Sequence, residues 1–224
     1  MRVVSPGLAR LYSHARDLLQ LSVSLIDDRD IADEDVVEAR SYEGELQGLS
    51  VGRLDREKNR LLLADVLVRL DERDGRWRLL VCGEGPMACE LSERLAALGI
   101  ATKAELRGYV PIDDGLLDPY RNSHVFLHVS WTMCLPQVLF EAFAARFPVV
   151  ATAVGGVPAG DTALLVPPGD LEATVDALGR VAQDSSLGSR LIESGLARVR
   201  EHTLEAECRR LAQFLRGQVE TAGG

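Results

Sequence analysis

The 224-residue sequence lacks any apolar run that approaches the roughly 20 residues needed to span a bilayer. Its first residues also lack the charged start, the long apolar centre and the small-residue cleavage site of an export signal. Both absences argue against a protein that is inserted into or moved across a membrane. We therefore expect a cytoplasmic protein without a transmembrane segment.

Basic residues are fewer than acidic residues. Lysine and arginine number 25 against 34 aspartates and glutamates, and the formal net charge is −9 at pH 7. A nucleic acid or an anionic membrane would meet net repulsion over most of such a surface, so neither is expected as a partner. Local basic residues can still bind a single phosphate ligand. Only two lysines, Lys58 and Lys103, occur in the chain, which makes Lys58 and its neighbours worth examining.

Cysteine is also sparse, and its spacing excludes two kinds of site. The four cysteines show neither the paired spacing of a zinc site nor that of a redox motif. A reducing cytoplasm would keep them as thiols, so we expect small buried hydrophobes and no metal site. They are Cys82, Cys89, Cys134 and Cys208.

The chain does have the composition of a soluble domain with a sizeable core, at 46% hydrophobic and 26% charged residues. From Leu46 onward, short β-type apolar runs alternate with helical patterns. That alternation predicts an α/β fold, a Rossmann-like parallel sheet flanked by helices. The predicted strands are Leu46 to Val51, Trp77 to Cys82, Lys103 to Gly108, Val125 to Val129, Val149 to Ala153 and Leu164 to Val166. The predicted helices are Arg60 to Glu72, Pro86 to Leu98, Pro136 to Ala145, one capped by Asp170, and two more that finish near Gly217.

The pattern divides the chain into three parts. Residues 1–45 form an N-terminal extension, residues 46–217 the α/β domain and residues 218–224 a flexible tail. Within the extension, Gly7 to Gln20 has the spacing of an amphipathic helix. The stretch from Asp27 to Glu38 is acidic enough to predict a solvated linker or an irregular segment.

A first candidate site lies where the first strand ends and the next helix begins. There Gly52 and Arg53 open a turn that closes with Lys58. In an open α/β sheet, ligands bind at this side because loops and helix N-termini converge there. A guanidinium and an ammonium suit a diphosphate. A surface turn whose cations pair with Asp55 and Glu57 explains the same residues.

Two later segments extend the candidate site. Gly83, in a Gly-Glu-Gly-Pro turn after the second strand, would let backbone approach a ligand, although a tight turn explains it equally well. Glu141 lies more than one turn into the helix that begins at Pro136, and helical side chains lean towards the N-terminus. Its carboxylate is thereby positioned to accept hydrogen bonds from ribose hydroxyls. A solvated helix residue is the other interpretation.

From about Gly48 to Leu215 the chain resembles the C-terminal domain of the GT-B family of retaining, nucleotide-sugar-dependent glycosyltransferases. The motifs occur in the order that the family uses. They are Gly-Arg-Leu-x-x-x-Lys at Gly52, Gly-Glu-Gly-Pro at Gly83, Arg-Gly-Tyr-Val-Pro at Arg107, Leu-Pro-x-Val-Leu-x-Glu-Ala at Leu135, Pro-Val-Val-Ala-Thr at Pro148, Gly-Gly-Val-Pro at Gly155 and Leu-Leu-Val-Pro-Pro-Gly-Asp at Leu164.

The resemblance implies a role for each motif. Arg53 and Lys58 would hold the donor diphosphate and stabilise the charge that develops on it, which makes them the catalytic contribution of this half. Tyr109 and Val110 would lie beside the base, and Glu141 would bind the ribose. The family needs no obligatory metal and no cofactor beyond the sugar-nucleotide substrate. The donor-binding residues implied are Gly52, Gly83, Tyr109, Val110, Leu135, Pro136, Val138 and Glu141.

Four positions depart from the family pattern. Met133 replaces a glutamate that touches the donor sugar, and a thioether cannot accept hydrogen bonds as a carboxylate does. Cys134 replaces a glycine beside the sugar phosphate, and Ala159 replaces an acidic residue. Arg146 stands where a left-handed glycine ends the helix, which costs on the order of 1 kcal/mol if the backbone stays left-handed.

A GT-B enzyme reacts between two halves, and the acceptor half normally precedes this one. The stretch from Val3 to Leu8 resembles its last strand-to-helix turn, so we expect the last helix, from about Leu204 to Leu215, to expose apolar surface. Two hypotheses follow. The chain is a glycosyltransferase domain whose acceptor half comes from a separate polypeptide or a second copy, or it is a degenerate module that binds nucleotide without transfer.

Overall fold

The computed structural model of the chain describes residues 2–4, 11–15, 17–22, 25–38, 40–111, 117–132, 137–155 and 161–222. Two short strands near the N-terminus pair in parallel, β1 (Arg2–Val4) with β2 (Leu18–Gln20). Six further strands form a second, larger sheet. They are β3 (Leu46–Val51), β4 (Trp77–Cys82), β5 (Ala104–Gly108), β6 (Val125–His128), β7 (Val149–Thr152) and β8 (Leu164–Val166).

The larger sheet is parallel throughout, in the order β5-β4-β3-β6-β7-β8. The predicted Rossmann-like α/β fold is therefore confirmed. The chain moves outward from β3 to β5 and then returns to the other side of β3 with β6. Ligands bind outside the carboxyl ends of the strands at such a reversal, which here lies between β3 and β6.

Eight α-helices are present in the described residues. The predicted ones appear within a few residues of their expected ends, and the Asp170 carboxylate accepts from the Ala173 N–H at 3.0 Å as a helix cap. Their bounds are α1 (Asp35–Glu38), α2 (Leu62–Asp74), α3 (Ala88–Ala97), α4 (Leu117–Arg121), α5 (Gln137–Ala144), α6 (Leu171–Gln183), α7 (Ser185–Arg200) and α8 (Leu204–Ala222).

A hydrophobic cluster lies on each face of the larger sheet. Successive side chains of a strand point to opposite faces, and β6 shows this directly. Val125 and Leu127 pack with Leu63 of α2, whereas Phe126 packs with Phe140 of α5. Because both faces are covered, most of the strands are largely apolar, and that is why their positions could be predicted from the sequence. The edge strand β5 instead alternates between more and less exposed residues.

The predicted helix from Gly7 to Gln20 is wrong where the structure describes it. Leu18–Gln20 is a strand, with Leu19 opposite Val3 in β1. Pairing with a second segment overrides the local helical spacing, because a strand gains its hydrogen bonds from a partner that periodicity does not reveal.

The acidic stretch from Asp27 to Glu38, predicted as a solvated linker or an irregular segment, is exposed or half-buried over residues 27–37 but contacts the α/β domain. It carries a 3₁₀ turn at Asp28–Asp30 and the helix α1. The Ala32 N–H donates to the carbonyl oxygen of Ala144 at 2.8 Å, where α5 ends. Just before it, Ile26 is buried and its carbonyl accepts from the Leu204 N–H at 2.8 Å. Backbone groups make these contacts, so an acidic composition does not prevent them.

Arg146 follows α5 with φ 54°, the left-handed conformation expected at a glycine position. Its Nε donates to the carbonyl oxygen of Ala32 at 2.7 Å, and its Nη1 lies 3.7 Å from Glu34. The arginine therefore ties the N-terminal extension to the end of α5, a contact that glycine could not make.

The structure describes three of the four cysteines, and they differ in exposure. Cys82 is buried as predicted, but Cys89 and Cys208 are exposed because they lie on the outer faces of α3 and α8.

The last helix exposes Leu215 as expected, at 42%. It continues to Ala222, so residues 218–222 of the predicted tail are helical. None of the helices in the described ranges is long and apolar enough to cross a membrane.

Candidate functional site

A cavity of about 340 Å³ opens at the carboxyl ends of β3, β4 and β5, on the side covered by α5. Its walls come from the turns after these three strands and from one face of the helix. Seven of the predicted site residues line it, together with Val51, Cys82 and Glu84. Those seven are Gly52, Arg53, Gly83, Tyr109, Val110, Val138 and Glu141.

Two glycines set the shape of the cavity floor. Gly83 has φ 145°, and a Cβ added there would lie 2.0 Å from the carbonyl oxygen of Gly52. Gly52 itself has φ 134° and donates its N–H to the Cys82 carbonyl at 2.9 Å. A side chain at Gly83 would require a backbone shift, and one at Gly52 would meet the Arg60 guanidinium in a backbone conformation that favours glycine. The turns after β3 and β4 thus lie backbone against backbone, which leaves room above them for a ligand.

Arg53 reaches the cavity from an exposed position. Its side chain is 69% exposed and forms ion pairs with Asp55 and with Glu57, the latter at 3.0 Å. The structure therefore shows the surface pairing that the sequence left as an alternative. Such exposed pairs are worth about 1 kcal/mol or less, so a doubly charged ligand competes with them readily.

Lys58 is placed differently. It ends a 3₁₀ turn at Arg56–Lys58, its side chain is 18% exposed, and its Nζ lies 3.8 Å from a Glu57 carboxylate oxygen. It does not line the cavity. The structure thus brings Arg53 and Glu141 to one cavity, whereas Lys58 is not among the residues that line it.

Glu141 projects from α5 and is held by a residue to which no sequence motif points. The Tyr120 hydroxyl donates to Oε2 of Glu141 at 2.8 Å. The Tyr120 ring is buried, stacked on Phe126 and edge-on to Phe147. Burial raises the pKa of Glu141, while the hydrogen bond from Tyr120 acts to lower it. No spacing in the sequence links two residues that meet through α4 and α5.

The segment after β5 forms the outer wall. Tyr109 is 69% exposed, its ring open to solvent, while Val110 packs against the hydrophobic cluster on the α5 face. The Tyr109 N–H points to the carboxylate of Glu84 at 3.4 Å. An exposed aromatic ring beside an apolar residue is suited to contact a planar group.

A second missed residue, Arg60, lies beneath the turn after β3. Its side chain is 1% exposed and donates to the Ser50 hydroxyl at 2.7 Å and to the carbonyl oxygens of Val51 and Arg53 at 3.3 and 3.1 Å. Burial lowers the pKa of Arg60 to about 10, so it is charged at neutral pH. One sequence signal was available, since position 60 shares the helical spacing of the buried Leu63 and Leu67.

His128 ends β6 close to these cations. It is 2% exposed, and its two ring nitrogens form no hydrogen bond with the described residues. Burial, with the nearby positive charges of Arg60 and Lys58, lowers the pKa of His128 to about 3. The imidazole is therefore neutral at physiological pH. A histidine within an apolar strand run is the signal that predicts such burial.

The loop after β6 is tied to the turn after β3. The Ser130 hydroxyl lies 3.0 Å from the Glu57 carbonyl oxygen, and the Trp131 N–H donates to the same oxygen at 2.9 Å. The Ser130 N–H in turn donates to the Thr152 hydroxyl at 3.0 Å. These bonds hold the loop after β6 against the turn after β3, at the point where the strand order reverses.

Several predicted residues lie outside the described part of the chain. They are Met133, Cys134, Leu135, Pro136 and Ala159. Within the described ranges, no group of three or more histidine, cysteine or acidic side chains is arranged to hold a metal ion.

The family model described as "Glycosyl transferases group 1" matches residues 46–184. The chain belongs to this family, and its predicted identity as a C-terminal domain of the GT-B type is confirmed. Sulfoquinovosyl transferase SQD2 of Arabidopsis thaliana is 31% identical over 143 residues, 61% of this chain and 26% of that protein. A D-inositol 3-phosphate glycosyltransferase of Corynebacterium urealyticum is 32% identical over 178 residues, 74% of this chain and 42% of that protein.

Among solved structures, the pneumococcal O-GlcNAc transferase GtfA, in complex with UDP and GlcNAc, matches with a TM-score of 0.76 at 16% identity. The match covers 99% of this chain and 45% of that one, and it shows the fold. The chain thus spans less than half the length of each of these three proteins.

Proposed function

We propose that the chain is the donor-binding half of a retaining glycosyltransferase and binds a nucleoside-diphosphate sugar in the cavity at the ends of β3, β4 and β5. One observation carries the proposal. Three turns and one helix, distant in sequence, bring a guanidinium, a glycine floor and a half-buried carboxylate to the same cavity. Its volume of about 340 Å³ is at the lower end of the range for small-molecule sites.

The polarity of the cavity suggests how the donor lies. Glu141, with one oxygen held by Tyr120, offers its other oxygen to the ribose hydroxyls. The base rests beside Tyr109 and Val110, and the diphosphate crosses the glycine floor to Arg53. The pneumococcal relative was solved with UDP, which is a ligand of this class.

In the transfer step, the bond between the anomeric carbon and the diphosphate oxygen breaks, and an acceptor hydroxyl oxygen bonds to that carbon as its proton passes to the departing diphosphate. Negative charge develops on the departing diphosphate. Arg53, released from its carboxylates, contacts the diphosphate, and Lys58, which ends the same turn outside the cavity lining, adds its positive charge. The two cations stabilise the developing charge, so no metal is required. Retention of configuration is proposed on the family resemblance. A GT-B enzyme reacts between two halves, so transfer also needs an acceptor half.

Calorimetric titration with UDP, GDP and ADP tests donor binding. One of these nucleotides should bind, and Arg53→Ala or Glu141→Ala should each weaken that affinity by about 1–3 kcal/mol through a lost charged hydrogen bond. Glu193→Ala, on the exposed surface of α7, is the matched control and should bind as the wild type does. Absence of binding by every nucleotide, or equal affinity in all variants, would contradict the proposal.

A second candidate function, nucleotide binding without transfer, follows from Met133 and Cys134, which stand where the family places groups that contact the sugar. The same titration with UDP-glucose, GDP-mannose and ADP-glucose separates the two. For the degenerate module, the attached sugar adds little to the affinity of the free diphosphate. A conjugate that binds much more tightly than its diphosphate favours the transferase.

A further inference from the structure

The turn after β3 has an unequal distribution of charge. Of its cations, Arg53 is paired with Asp55 and Glu57, and Lys58 lies within 4 Å of Glu57. Arg60 forms no ion pair with any described carboxylate. Its three hydrogen bonds go to a hydroxyl and two backbone carbonyls, all of which are neutral. Asp55 acts on Arg60 without an ion-pair contact and raises its pKa, so the buried positive charge of Arg60 is only partly compensated.

That charge lies directly below the floor of the cavity. A Cβ added to Gly52 would be 2.6 Å from Nη2 of Arg60, so the guanidinium lies against the residue that lines the cavity from beneath. It donates to the carbonyl on each side of Gly52, that of Val51 and that of Arg53. Arg60 thus both fixes the shape of the floor and places a charge under it.

Burial makes this charge more effective than an exposed one. At the surface, water and salt screen an ion such as Arg56 within about 10 Å. A guanidinium that is 1% exposed acts through a medium of lower effective dielectric, where the same charge exerts a larger field. The neighbouring imidazole of His128 is neutral, so it adds no second positive charge that would attract an anion away from Arg60.

We propose that Arg60 is the buried cation of the donor site, which attracts the diphosphate through the floor of the cavity and holds the turn at Gly52 in place. The inference rests on the proposed nucleotide binding. It assigns Arg60 a positioning and electrostatic role, while Arg53 exchanges its carboxylates for the ligand.

Three variants test the role of Arg60. Arg60→Gln removes the charge, Arg60→Lys keeps the charge and loses the fork of donors, and Arg56→Gln removes a charge from the exposed side of the same turn. Each is titrated by NMR with UDP, GDP and ADP and with the corresponding nucleosides, after circular dichroism has shown that it folds. The nucleosides lack phosphate, so they report a distorted site without reporting the charge.

We expect Arg60→Gln to lower diphosphate affinity about tenfold or more and to leave nucleoside affinity within about twofold. Arg60→Lys should retain diphosphate affinity within about threefold, and Arg56→Gln within about twofold. If Arg60→Gln binds the diphosphate as tightly as the wild type does, or loses affinity for nucleoside and diphosphate equally, the role of Arg60 is contradicted. The proposed nucleotide binding would not be affected by either result.

If Arg60→Gln does not fold, Arg60→Lys decides. Retained diphosphate affinity supports the role of the charge, and equal loss of both ligands contradicts it. A wild-type chain that binds none of the nucleotides would overturn the proposed function together with this inference.

Discussion

The carboxylate of Glu141 depends on a hydroxyl from another helix. Because burial raises the pKa of Glu141 and the Tyr120 hydroxyl opposes that rise, the two residues together set the pH at which the carboxylate is available to a ribose. A protonated carboxyl group donates from one oxygen and loses acceptor capacity. Nucleotide binding should therefore weaken as the pH falls through the raised pKa of Glu141.

Tyr120→Phe should move that dependence. Without the hydroxyl, the influence that lowers the pKa of Glu141 is gone, so the midpoint of the loss of nucleotide affinity shifts to higher pH. Titrations across pH 4 to 8 measure the midpoint in each protein. Tyr42→Phe is the matched control, since its hydroxyl donates to the His124 carbonyl at 2.9 Å, outside the cavity lining. An unchanged midpoint in Tyr120→Phe would refute the coupling.

His128 provides a prediction about stability. Its pKa falls from 6.5 to about 3 on folding, so the unfolded chain binds more protons between these values and stability drops as the pH is lowered below 6.5. The drop from this residue is about 1.4 kcal/mol per pH unit. His128→Leu should remove it.

The measurement is urea unfolding of wild type and His128→Leu at pH 7 and pH 5. We expect the variant to gain about 2 kcal/mol relative to wild type between the two conditions. His14→Leu, at an exposed imidazole, serves as the control for a changed histidine count. Equal changes in all three proteins would show that His128 does not lose its proton on folding.

At the scale of the elements, the close approach of two strand–helix turns forms the site. Gly83→Ala would put a Cβ 2.0 Å from the Gly52 carbonyl oxygen at a φ of 145°, and should destabilise the fold by about 3 kcal/mol or more. Gly99→Ala is the matched control, because φ is 72° but nothing lies within 4 Å of the new Cβ. Its cost should be about 1 kcal/mol.

Thermal unfolding of both variants separates the cost of the left-handed backbone conformation from the cost of the steric clash with Gly52. If Gly83→Ala costs no more than Gly99→Ala, the two turns have room to move apart. The floor of the cavity would then be less fixed than the structure implies.

The larger sheet could be predicted closely from sequence because most of its strands are largely apolar on both faces. The bounds of Leu46–Val51, Trp77–Cys82 and Leu164–Val166 were predicted to the residue. Leu18–Gln20 was missed, since three residues carry too little periodicity to reveal a pairing with Arg2–Val4. The local pattern of apolar residues indicates which residues are buried, but it does not indicate which distant segment pairs with a strand.

The candidate site shows the same limit. Gly52 and Gly83 were found because glycines after strands mark turns, and Glu141 because the family motif includes it. Tyr120 and Arg60 were not found, since each acts through a side-chain contact made only by the tertiary fold. Motifs identify groups that face a ligand more readily than groups that support them.

At the scale of the whole molecule, the extension and the last helix form one connected periphery. The Arg210 guanidinium donates to the Gln20 carbonyl oxygen at 2.7 Å, and the Asp28 N–H donates to the carboxylate of Glu205 at 3.2 Å. These bonds fix the N-terminal extension to the last helix.

The central claim is that one cavity binds the nucleotide. The most direct test is the set of backbone amide shifts of the isotopically labelled chain, recorded as the nucleoside diphosphate that binds it is added. We predict that the largest shifts fall at Gly52, Arg53, Gly83 and Tyr109, and at Glu141 on α5. Shifts concentrated instead around Arg146 and the extension, or no shifts at saturating nucleotide, would contradict it.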